Sequence, residues 1–282
     1  MTPGASRELV AWSLGFLLLT STSMPGRAWA EELPLWEAGL GVAPLSLPEY
    51  RGSSRQRQYL LPLPYLVYRG DFLRVDRGGM RALFIDTTRL ELDFSIGGMV
   101  PVRSSDDGPR TGMPDLDPML EAGVSVGWIL AQPEFGKIRL RLPLRAGIAI
   151  SLDSFKHQGW KAEPQLHFES PDSRDRWNVS LATGPVFADR RYHNYYYRVG
   201  EEFATPERPA YEARGGYSGW HFVAAASRRL ENVWIGAFLR YDDLSGSRFQ
   251  DSPLVETRRA VMGGLGIAWI FDSSSRRTST TF

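Results

Sequence analysis

The chain has 282 residues, 43% of them hydrophobic and 23% charged, with a formal net charge of +1 at pH 7. Near-neutrality removes the global basic field that draws in nucleic acid. The absence of cysteine removes disulfides, thiol catalysis, cysteine-ligated metals and the lipid attachment site of a lipoprotein. A mean hydropathy of −0.27 excludes a bundle of membrane helices but not a membrane barrel, whose strands are apolar on one side only.

The first thirty residues read as a secretion signal. Arg7 precedes an apolar run from Leu9 to Leu19, and the small-residue site Ala28-Trp29-Ala30 follows. The run is about eleven residues, too short for a spanning helix of roughly 20. Cleavage after Ala30 is expected, leaving 31 basic and 31 acidic residues in a neutral mature chain.

From there the chain alternates with period two. In Arg89–Val102, Leu90, Leu92, Phe94 and Ile96 oppose Glu91, Asp93, Ser95 and Gly97. In 120–130, Leu120, Ala122, Val124, Val126 and Trp128 oppose Glu121, Gly123, Ser125 and Gly127. In Lys137–Ile150, Ile138, Leu140, Leu142 and Leu144 oppose Lys137, Arg139, Arg141 and Arg145. In 160–169, Lys161, Glu163, Gln165, His167 and Glu169 hold the polar parity. Such alternation marks strands with one apolar and one wet face. Soluble strands usually have about five or six residues, whereas these runs approach the roughly 9–11 of a tilted membrane-spanning strand.

The pattern predicts an all-β, transmembrane antiparallel β-barrel over 31–271. Its strands are expected at 36–44, 58–69, 71–77, 80–86, 88–102, 117–130, 136–151, 159–170, 175–187, 216–228, 232–242 and 259–271, twelve in all. Short connections alternate with long ones (44–57, 103–116, 152–159, 188–215, 243–258), as periplasmic turns alternate with outer loops. The arms around Gly78-Gly79 look short, so 71–86 reads as one strand or two. Trp36, Trp128, Trp177, Trp269 and Phe271 fall on the apolar parity at the periplasmic strand ends, where an interfacial girdle belongs. Residues 272–282 lack that alternation and read as a flexible tail, which leaves open whether Phe271 or Phe282 serves membrane insertion.

Several motifs in order resemble the MipA/OmpV family of outer-membrane proteins. They are Pro48-Glu49-Tyr50-Arg51-Gly52-Ser53, Gly184-Pro185-Val186-Phe187-Ala188-Asp189-Arg190-Arg191-Tyr192, Tyr211-Glu212-Ala213-Arg214-Gly215-Gly216, and Asp251-Ser252-Pro253-Leu254-Val255 before Gly263–Phe271. The resemblance implies a Gram-negative outer-membrane location among lipid. It also implies a non-enzymatic scaffold holding a lytic murein transglycosylase near a bifunctional penicillin-binding protein. Other members are described as porin-like or adhesive.

Chemistry-bearing residues are few. Gly123-Val124-Ser125-Val126-Gly127 has the spelling of a nucleophile elbow, but the alternation runs through it without the turn and helix an elbow needs. An outer-membrane lipid hydrolase would need adjacent His and Ser. His167 and His221 lie on the polar parity, His221 beside Ser218 and Ser227, and His157 and His193 fall in loops. Asp106-Asp107 and Asp242-Asp243 read as loop acids serving turns. No catalytic residue, cofactor or metal site is assigned.

The ladder Lys137, Arg139, Arg141 and Arg145 shares one face. On lipid each cation would cost about 2–4 kcal/mol near the midplane, so all four are expected in the lumen. Glu121 and His167 are expected on either side of Arg145, with Glu91 and Asp93 on the neighbouring wall. This arrangement reads first as a salt-bridged filling of a narrow barrel and second as a polar channel for small solutes. The mixed-charge turn carrying Asp172, Arg174 and Asp175 reads as a solvated loop or, as the resemblance to a scaffold implies, as the place where a periplasmic partner docks. The outer loop with Tyr192, Tyr195, Tyr196 and Tyr197 reads as an aromatic surface facing away from it.

Overall fold

The structure is a computed structural model that describes residues 32–69, 73–76, 79–87, 89–104, 108–173 and 176–279. The expected signal, Asp106-Asp107, Arg174, Asp175 and Phe282 lie outside the described residues. The elements in chain order are β1 (Glu32–Pro34), β2 (Trp36–Pro48), β3 (Gln56–Arg69), β4 (Leu73–Asp76), β5 (Gly79–Asp86), β6 (Leu90–Met99), β7 (Met119–Ala131) and β8 (Lys137–Ser151). They continue with β9 (Ser154–Ala162), β10 (Gln165–Glu169), β11 (Asn178–Ala188), α1 (Arg190–Tyr197), a 3-10 turn (Glu201–Phe203), β12 (Gly216–Leu230), β13 (Val233–Asp243), β14 (Arg259–Ser273) and β15 (Arg277–Ser279).

Strands β2 to β14 form one antiparallel sheet that closes on itself. Neighbours in sequence are neighbours in space, and β14 pairs back onto β2. Between β8 and β11, β9 and β10 share one position in the wall. β8 pairs with both, and so does β11. Pro164, which has no N–H to give to the ladder, separates the two segments.

Closure explains the pattern of exposure. Leu40, Val42, Leu142, Leu144, Leu265 and Ile267 are exposed on the outside of the wall, while Glu91, Asp93, Glu121, Arg139, Arg141 and Asp242 are buried within it. Backbone groups are satisfied between strands, so such a wall can cross a bilayer with its apolar face on lipid. No helix among the described residues is long and apolar enough to do so. The fold is thus a transmembrane β-barrel with a loop end and a turn end.

Four expectations are corrected. The connection at 152–159 is a tight turn: Ser151 pairs with Ser154, and 154–158 continue the strand. The polar run Lys156-His157-Gln158 has the composition of a loop, yet Lys156 and His157 pair with Ala149 and Ile148. Strand β6 ends at Met99 rather than Val102, which makes only an isolated bridge to Leu116. Strand β14 runs past Phe271 to Ser273. Residues 277–279 are not a free tail, since β15 pairs with β1 in a separate ribbon. The region 71–86 holds two short strands, β4 and β5.

Candidate functional site

The inner wall from β6 to β10 carries an ion network. Lys137 Nζ lies 3.2 Å from Glu91 Oε1, and Arg139 Nη1 lies 2.9 Å from Glu91 Oε2. Arg139 also pairs with Glu169. Arg141 Nη2 reaches both oxygens of Asp93 at 3.1 Å. Arg145 Nη1 lies 2.8 Å from Glu163 Oε2 and 3.7 Å from Glu121 Oε2, and Lys161 Nζ reaches Glu121 at 2.5 Å. Arg240 of β13 reaches across the lumen to Glu163 at 3.3 Å, while holding Asp242 at 2.8 Å. Buried charges persist only when paired in this way.

His167 is not beside Arg145. The tight turn at 152–153 sets Arg145 opposite Lys161, and His167 falls opposite Arg139, 3.2 Å from its Nη2. Glu163, Lys161, Arg240 and Asp242 complete the network, beyond the partners expected for the ladder. The period-two pattern carried them: Lys161 and Glu163 share the parity of His167, and Arg240 and Asp242 share that of the inward Trp234 and Phe238. Asp242 is a buried strand residue rather than a loop acid.

The loop end is filled by a helix. Asp189 caps α1 by accepting from Tyr192 N at 2.8 Å through Oδ1 and from Trp160 N of the wall at 3.0 Å through Oδ2. Gly159 makes this docking feasible: its φ is +107°, and a Cβ there would lie 2.2 Å from Asp189 Oδ1. Residues at i and i+4 on α1 then face inward together. Tyr192 donates to Glu121 Oε1 at 2.5 Å, and Tyr197 stacks on Phe249 at 3.7 Å and donates to the Arg51 carbonyl. Tyr50 donates to the Leu254 carbonyl at 2.7 Å, and Arg110 Nη1 donates to the Tyr196 carbonyl at 3.0 Å.

Tyr50, Tyr192, Tyr196, Tyr197, Phe249 and Leu254 belong to one buried apolar cluster. Burial raises the hydroxyl pKa of Tyr192, Tyr196 and Tyr197, and that of Tyr195 is pushed up to about 12. The expectation of an exposed aromatic loop is therefore corrected. Three of the four tyrosines are plug core, because an amphipathic turn of helix turns them into the barrel.

The turn end is closed more lightly. Leu33 of β1 is 1% exposed beneath the β1–β15 ribbon. Leu35 N donates to the Arg276 carbonyl at 2.8 Å, Arg69 N to the Leu35 carbonyl at 2.8 Å, and Arg69 Nη1 to the Pro34 carbonyl at 2.9 Å. Asp172 is tied to the wall by Arg69 Nε at 3.3 Å. Glu37 accepts from Tyr65 at 3.0 Å and pairs with Arg229. Trp128, Trp177, Trp269 and Phe271 are exposed around this end, and Trp36 is half-buried.

Behind the ribbon lie two adjoining cavities of about 170 and about 390 Å3, which share Leu63, Asn178, Ser227 and Trp234 in their linings.

A family model described as MltA-interacting protein MipA matches residues 40–271. The chain belongs to this family. The matched residues hold the wall from Leu40 in β2 to Phe271 in β14 and the plug, whereas β1 and β15 fall outside them. No curated protein matches the chain in sequence. Among solved structures, one described as "CymD monoaromatic hydrocarbon channel" is similar with a TM-score of 0.35 and 11% identity, covering 84% of this chain and 89% of that one.

Two His–Ser pairs occur among the described residues of this MipA-family barrel. Arg139 only donates, so His167 Nδ1 accepts from it and Nε2 carries the proton toward Ser180 Oγ at 3.1 Å. That tautomer cannot take a proton from Ser180. At His193 the order is reversed: Nδ1 donates to the Arg214 carbonyl at 2.6 Å, and Nε2 accepts from Ser218 at 2.6 Å. Both residues are buried and border a cavity of only about 20 Å3, so the pair ties α1 to the wall. Ser125 is fully buried on continuous strand β7, not on an elbow.

Proposed function

We propose that this barrel sits in the Gram-negative outer membrane, surrounded by lipid, and serves as a non-enzymatic scaffold. At its periplasmic turn end it holds a lytic murein transglycosylase near a bifunctional penicillin-binding protein. The observation that carries this reading is the packed plug. A loop end filled by Tyr50, Tyr192, Tyr196, Tyr197 and Phe249 favours a platform over a conduit. The family description, MltA-interacting protein, supplies the partner class. Girdle aromatics around the turn end support placing it at one membrane interface.

Purified protein in planar bilayers should give no stepwise conductance, and an immobilised transglycosylase should retain it. Replacing Arg174 and Asp175 with Gly-Ser should weaken retention, with Asp172 kept because Arg69 holds it. Retention unaffected by any turn-end change would remove the scaffold reading. The cavities favour one second reading, a small-solute channel, and steady conductance steps from the wild type would select it.

A further inference from the structure

The two adjoining cavities form a chamber whose walls differ. Leu45, Leu61, Leu63, Trp234 and Phe238 supply an apolar side. The wall beneath them is built of glycine: a Cβ on Gly236 would lie 2.3 Å from the Trp234 ring, so the indole lies flat against the backbone. Arg141, His167, Glu169, Asn178 and Ser180 form a polar side, and Ser227, paired with Gly236, stands where the two sides meet. At about 390 Å3, the larger cavity alone falls within the roughly 300–1,000 Å3 of small-molecule sites, which are mostly apolar with a few convergent polar groups.

We propose that this chamber binds a small uncharged amphiphile, a hydrocarbon body carrying one hydrogen-bonding group. The charge state follows from the polar side. Arg141 already faces Asp93, and Arg139 already faces Glu91 and Glu169, so every cation there is matched by a carboxylate. A ligand anion would have to break one of these buried pairs, and a ligand cation would meet Arg139 and Arg141.

The hydrogen-bonding group has a natural partner in Ser227. This residue is 4% exposed, lines both cavities, and its Oγ has no hydrogen-bond partner among the described residues. A buried hydroxyl left unpaired is costly, and a ligand hydroxyl, ether or amide at the junction of the two cavities would satisfy it. Asn178, by contrast, spends both amide atoms on the backbone of Ser173.

The test uses the full chain in lipid nanodiscs with 4-bromophenol, whose bromine quenches indole fluorescence, and with its charged counterpart 4-bromobenzoate at neutral pH. The expected result is saturable quenching by the phenol and at least tenfold weaker quenching by the benzoate. Ser227→Ala should weaken phenol binding about fivefold, the effect of one hydrogen bond. Trp234→Phe should remove most of the saturable signal. Ala225→Leu, which fills the chamber from β12, should abolish it. Quenching that rises linearly and equally in wild type, Ser227→Ala and Trp234→Phe is partition into lipid, and it overturns the proposal even if Ala225→Leu fails to fold. Equal binding of phenol and benzoate overturns the ligand class. The scaffold reading stands or falls separately on conductance and transglycosylase retention.

Discussion

At the loop end, α1 packs an aromatic cluster into the lumen and is anchored to the wall through Asp189, Tyr192, His193 and Tyr197. At the turn end, β1 and β15, three residues each, cover the lumen with one buried leucine and a few backbone hydrogen bonds. The same lumen is closed at one end by a core and at the other by a flap. Local stability follows the number of buried apolar contacts, so the turn end should open first. That is also the end at which the proposed partner would meet the barrel and the end nearest the chamber.

The largest effect that would test this contrast is Tyr197→Ala. It removes a fully stacked ring and strands the Arg51 carbonyl, which by analogy with other buried aromatics costs about 3–5 kcal/mol. Heat-modifiable gel mobility after detergent extraction should show unfolding at a clearly lower temperature. A variant as stable as wild type would mean that the plug is not what holds the loop end.

Gly159→Ala should come next, at about 1–3 kcal/mol. It combines a positive φ with a methyl pressed against the α1 cap. The expected signature is loss of hydrogen-exchange protection confined to α1, with the β2–β14 wall unchanged. Protection lost throughout the barrel would show that plug and wall unfold as one unit.

How legible was this from sequence? The wall was, because period two states which side chains share a face, and Lys137–Ile150 follows it without a break. The register of β8 against β9 was not, because Lys156-His157-Gln158 has loop composition, yet Lys156 and His157 pair in a ladder that ignores side-chain polarity. The plug left a trace: Asp189 three residues before Tyr192 is a helix cap, and Tyr192/Tyr196 with His193/Tyr197 repeat at four. The segment has only eight residues, below the length at which a helical period stands out from a loop. The β1–β15 ribbon left none, since three-residue strands carry no period.

A smaller, pH-dependent effect comes from His193. Burial lowers its pKa below the usual 6.5. Above that value the imidazole is neutral whether α1 is docked or released, and docking is at full strength. As pH falls below it, the released state takes a proton that the docked state refuses, so docking weakens until the docked pKa is reached and then levels off. Exchange of α1 amides, corrected for intrinsic rate, should therefore speed up as pH is lowered through 6.5. His193→Gln should remove the dependence, and the turn end should show none of it. A pH dependence that survives the substitution would assign the effect to another group.

The smallest effect on stability should come from truncation after Ser274, which removes β15. Three residue pairs with β1 are lost, together with the bond from Leu35 N to the Arg276 carbonyl. A two-stranded ribbon is marginal by itself, and each exposed hydrogen bond contributes about 1 kcal/mol or less. The bond from Ser274 N to the Trp36 carbonyl remains, and so does Arg69 on the Pro34 carbonyl. The barrel should thus keep nearly its full melting temperature. What should change is access: Leu33 loses its cover, and quenching of Trp234 by 4-bromophenol should reach its plateau sooner than in the full chain. If the truncation lowers the melting temperature as far as Tyr197→Ala does, the ribbon is a structural member of the barrel and the contrast between the two ends fails. If the melting temperature holds and quenching is no faster, the ribbon is not what limits entry, and the chamber must fill from elsewhere in the wall.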